Sequence, residues 1–99
     1  MGSGRSREVT GAFTGTGADI EIRKVGFRPN RVKLINVDGL ATAEWIKGMA
    51  DDSALKEITA GTKSLIDTNG ITPLSDGFAL GADTDLNVDG EVVYFVATD

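Results

Sequence analysis

Between Ala18 and Val25 the chain reads ADIEIRKV, with Ile20 and Ile22 on one side and Asp19, Glu21 and Arg23 on the other. A period of two is the signature of a strand with one buried face. GFRPN interrupts the run, since Pro29 removes a backbone donor and biases Arg28 away from helix. RVKLINV follows, rich in β-branched residues and apolar on both faces toward its end, so it predicts an interior strand. Asp38-Gly39 closes that strand with a turn dipeptide. TAEWIKGM predicts a further strand carrying Ala43, Trp45, Lys47 and Met49 on one side. In DDSALKEITAGTKSLIDTNG the pattern is ambiguous. Asp52 or Ser53 would cap a helical turn reaching Glu57, while a short strand fits the same letters. Asn69-Gly70 and Asp76-Gly77 read as turns, and Thr72-Pro73 as an extended link. EVVYFVAT alternates valines and aromatics with nothing polar between them, which suits a strand covered on both faces.

About seven short strands separated by Gly, Asn and Asp turns predict an all-β domain, a small antiparallel sandwich or a jelly-roll-like barrel. A chain of 99 residues supports one such domain. Its 13 glycines are spread along the sequence, which favours many turns over one loose tail. The start, MGSGRSREVT, predicts a flexible arm over residues 1–12, native or a cloning remnant, ahead of a single β domain over 13–99. Arg5 and Arg7 are that arm's candidate contacts to a capsid or another partner.

Charge is unevenly distributed. Residues 1–33 hold seven basic and three acidic side chains, whereas residues 64–99 hold seven acids and no base. The net charge of −5 argues against direct nucleic-acid binding, which needs a basic face to displace counterions. A positive front and a negative rear offer complementary ends for head-to-tail association between copies, although both ends being simply solvated is an equal expectation. No apolar run approaches the ~20 residues of a membrane-spanning helix, so no membrane partner is expected.

The absence of histidine and cysteine removes the usual general base, thiol nucleophile and zinc ligands, so no enzyme and no cofactor are expected. DLNVDG is the one stretch with metal-loop spacing. Asp85, Asn87, Asp89 and Gly90 match the first, third, fifth and sixth positions of a calcium loop, but the twelfth is Val96, where an acid should close the shell. The stretch therefore reads as a hairpin turn at Asp89-Gly90, and the candidate ligands of any calcium here are Asp83, Asp85 and Asp89. Trp45, the single tryptophan, is either core mass or a platform for stacking on a sugar ring.

Over GFRPNRVKLINVDGLATAEWIKGM, and again over GFALG, DLNVDG and VVYFVA, the chain resembles small structural proteins of tailed bacteriophages, covering roughly residues 13–97. The shared features are turns and core positions rather than chemical groups. The resemblance implies a virion protein assembled in the host cytoplasm. In that role it would decorate the head shell, bind the major capsid protein or other virion proteins, and form a homo-oligomer. A tail-fibre or carbohydrate-binding module, or a tail or connector subunit, are the competing expectations.

Overall fold

The computed structural model describes residues 7–59 and 61–99. The fold is all-β and antiparallel. Among the described residues it has eight strands: β1 (Glu8–Thr14), β2 (Ile20–Ile22), β3 (Arg31–Asn36), β4 (Ala41–Ile46), β5 (Ser53–Glu57), β6 (Lys63–Leu74), β7 (Gly77–Leu80) and β8 (Val92–Thr98). They form one sheet in the order β1-β8-β3-β4-β5-β6-β7-β2, which curls into a nearly closed barrel. Strands β3 to β7 are a meander of sequential neighbours, and β8 returns to lie between β1 and β3.

Alternation decides what points inward. In β3, Val32, Leu34 and Asn36 are buried while Arg31, Lys33 and Ile35 face outward. Ala41, Ala43 and Trp45 of β4 and Val93, Phe95 and Ala97 of β8 join them. Because directly opposed residues share a face, the register Leu34↔Ala43 and Leu34↔Phe95 builds one continuous layer. The rings of Phe13, Phe78 and Phe95 meet at centroid distances of 5.4 to 6.4 Å, so β1 and β7 touch across the interior although they are far apart in the ladder. Burying a side chain of this size contributes about 1.5–3 kcal/mol.

The segment 23–30 covers one end of the barrel through buried Val25, Phe27 and Pro29. Lys24 of that segment donates from Nζ to the Ala12 carbonyl, tying it to the free edge of β1. The other end is covered by residues 81–91, with Leu86 fully buried. Two buried asparagines hold it. Asn36 Nδ2 donates to the Asp85 carbonyl at 2.8 Å and to Glu91 Oε1 at 2.9 Å, while its Oδ1 accepts from the Asp38 and Gly39 amides. Asn87 donates to the Ala18 and Gly81 carbonyls and accepts from the Thr16 amide at 2.9 Å. Among the described residues no buried side-chain polar atom is left unpaired, as a low-dielectric interior requires.

Several local expectations change. Residues 8–12, expected within the arm, are strand: β1 pairs with β8 from Glu8↔Thr98 to Thr14↔Val92. The ambiguous region is the strand pair β5–β6, and no helix forms over Ser53–Glu57. Asn69-Gly70 is not a hairpin turn but an irregularity inside β6. There the register jumps from Ala54↔Ile66 to Ser53↔Ile71, and Asn69 takes φ 59°. Asp89-Gly90 does turn, with the Glu91 amide bonded to the Val88 carbonyl, yet it joins no hairpin because β7 and β8 are not neighbours. Ser75-Asp76 is a true hairpin turn between β6 and β7.

Candidate functional site

The acidic stretch that resembles a calcium loop is occupied from within. Lys56 alternates inward from β5 and its Nζ sits 2.9 Å from Asp83 Oδ2 and 2.6 Å from Asp85 Oδ2. The other Asp83 oxygen accepts from the Asp85 and Leu86 amides at 2.8 and 3.0 Å. Burial opposes the charge on Lys56. Hydrogen bonds to Asp85 and Asp83, together with their charges, outweigh that and raise its pKa above the ordinary 10.5. Asp89 takes no part, lying exposed in the turn beside Gly90 (φ 85°). The three candidate ligands are therefore not brought together around one point, and the Asn87 oxygen is committed to the Thr16 amide. Among the described residues no group of three or more Asp or Glu is arranged to hold an ion.

Trp45 is core. It is 3% exposed and its indole Nε1–H donates to the Ala50 carbonyl at 3.1 Å, so it offers no face to a sugar. Arg7 is docked on the barrel rather than carried on a loose arm. It pairs with Asp99 at 2.8 Å, and its guanidinium lies 4.7 Å from the Phe27 ring centroid. Arg5 lies outside the described residues. Three ion pairs, Arg7–Asp99, Arg23–Asp76 and Lys56–Asp83, join the front or middle of the chain to its acidic rear within the fold.

The outside of the sheet carries an apolar surface. On β1, β8 and β3 the register sets Ala12 beside Tyr94 and Tyr94 beside Ile35, with Thr10 beside Val96 and Val96 beside Lys33 in the next row. Tyr94 is 50% and Ile35 37% exposed. Together they line an open groove of about 430 Å³. Gly11 lies on its floor: a Cβ there would lie 2.8 Å from the tip of the Phe95 ring, so a glycine leaves room for that ring beneath β1. Val37 and Leu40, both exposed in the β3–β4 turn, add apolar surface at the end of β3. The sequence signal for this strip is the unbroken apolar character of VVYFVA. It predicts cover on both faces, and the single chain supplies cover on one.

No family model, curated protein or solved structure matches this chain.

Proposed function

We propose that this protein is a non-enzymatic structural component of a tailed-phage virion, a decoration protein that sits on the head shell. The observation that supports this reading is the outer strip of Ala12, Ile35, Tyr94 and Val96, an apolar surface fixed on three adjacent, hydrogen-bonded strands. A flat strip on a rigid sheet suits docking against another protein, because little side-chain or backbone freedom is lost on binding. Aromatic mass at its centre, here Tyr94, is the usual anchor of such a contact. The described polar groups in the interior are all paired with one another, which fits a building block better than a reactive site.

The test uses virions and purified expanded heads of the phage that encodes the chain. The protein is expected to bind heads stoichiometrically with shell subunits, and quantitative mass spectrometry of virions is expected to give a copy number that scales with the shell. A handful of copies per particle would assign it to the tail or connector instead. Saturable glycan binding without head binding would make it a receptor module.

A further inference from the structure

We infer that Asn69-Gly70 is a site of spontaneous backbone modification, deamidation through a succinimide, and that the packing of β5, β6 and β7 around it gates the reaction. The pair is the one Asn-Gly step in the sequence. The reaction joins the Gly70 nitrogen to the Asn69 side-chain Cγ. The Cγ–Nδ2 bond breaks, and ammonia leaves carrying the equivalent of the proton that the Gly70 amide gives up. Water then opens the five-membered ring at one of its two carbonyls, to aspartate or to isoaspartate. Water is the only other reactant and hydroxide the catalyst. Glycine suits the step because it sets no side chain against the attacking nitrogen.

The fold blocks both requirements of the attack. A planar amide nitrogen becomes nucleophilic only when its proton is removed. The Gly70 N–H instead donates to the Asp52 carbonyl at 3.0 Å. The nitrogen must also swing toward Cγ, and Gly70 is held against that motion from its other side, where its carbonyl accepts from the Gly81 amide at 3.1 Å. Space is closed as well. A Cβ on Gly70 would fall 2.5 Å from the Ser53 carbonyl carbon, and one on Gly81 would fall 2.4 Å from Asn69 Cα. Asp52 is itself fixed, its amide bonded to the Ile71 carbonyl at 3.1 Å and to Thr72 Oγ1 at 3.0 Å. Asn69 lies exposed, so water and hydroxide reach it, and opening of this clamp is what limits the reaction. Isoaspartate runs the main chain through Cβ and adds one atom to it. With Gly81 pressed against Asn69 Cα, the isoaspartyl chain has no room to re-form the clamp.

This chemistry is independent of the decoration reading, and head binding plays no part in its test. The intact chain is incubated in mildly alkaline buffer, folded or unfolded in guanidinium chloride. Peptide mass mapping then follows the gain of aspartate or isoaspartate at position 69. The folded chain is expected to react roughly 25-fold more slowly, because two backbone hydrogen bonds must open first, each worth about fivefold. Gly81→Ala drives a methyl group into Asn69 and is expected to raise the folded rate about tenfold. Thr72→Val removes one acceptor from the Asp52 amide and is expected to raise it about threefold. Buried Trp45 emission reports the fold in each variant. Equal rates in the folded and unfolded chains overturn the proposal, as do folded rates that neither substitution changes. The isoaspartyl form, separated by ion exchange, is expected to lose hydrogen-exchange protection at the Gly70 and Gly81 amides. Protection retained at both would overturn the statement that the clamp cannot re-form.

Discussion

At the scale of single residues, Lys56 is the position where most is at stake. Its ammonium is the counter-charge for buried Asp83, and removing it leaves that carboxylate unpaired in the interior. Lys56→Met is expected to lower stability by about 3 kcal/mol at neutral pH, read from urea midpoints. The half-exposed Asp85 adds little, because water screens it. The pH dependence has a definite sign. The folded-state pKa of Lys56 is raised, so its contribution is complete below the ordinary 10.5 and is lost as pH climbs through the folded value. The gap between the parent chain and Lys56→Met is therefore expected to close in strongly alkaline buffer. Trp45 gives a second residue-scale prediction. Being 3% exposed and bonded to the Ala50 carbonyl, it is expected to emit at short wavelength and resist iodide quenching until the chain unfolds. The core role of Trp45 was the more legible of the two, because a lone tryptophan on an alternating strand is more often core than platform. The role of Lys56 was not, because it lies in a segment whose helix or strand character the sequence left open.

At the scale of elements, Gly77 controls how β2 meets β7. A Cβ there would fall 1.8 Å from the Ile22 carbonyl oxygen and 2.9 Å from Arg23 Cα, and neither is the end of a flexible side chain. Gly77→Ala is expected to part these strands and lower stability by about 1–3 kcal/mol, seen as an earlier thermal transition. Strands β2, β3, β4 and β8 were legible because each carries its own alternation or β-branched run, and the Asp38-Gly39 turn because a two-strand hairpin is local. β1 was not. EVTGAFT sits behind a Gly, Ser and Arg run, has a glycine at its centre, and finds its partner β8 at the opposite end of the chain. SALKE could go either way locally, and only pairing with β4 and β6 makes it a strand. The jump within β6 depends on Asn69 adopting a left-handed conformation, which as a dipeptide is indistinguishable from a hairpin turn.

At the scale of the whole molecule, turn spacing was enough for the all-β class, whereas strand order was not, since two long-range crossings place β1 beside β8 and β2 beside β7. The outer strip is a property of that order. Ile35 and Tyr94 are 59 positions apart in sequence and become neighbours only when β8 inserts beside β3. Because both side chains point away from the core, Ile35→Glu with Tyr94→Glu is expected to abolish head binding while moving the melting temperature little. Pull-down on purified heads and a melting curve of the same sample check both halves of that statement.

The Asp99 amide donates to the Arg7 carbonyl at 2.9 Å, and the ion pair between the same two residues lies over the outermost rung of the β1–β8 ladder. Arg7 and Asp99 thus stand side by side at one pole, away from the asparagine-pinned loops. A permutant that links Asp99 to Arg7 through a few glycines and opens at Asp38-Gly39 would retain every rung among the described strands.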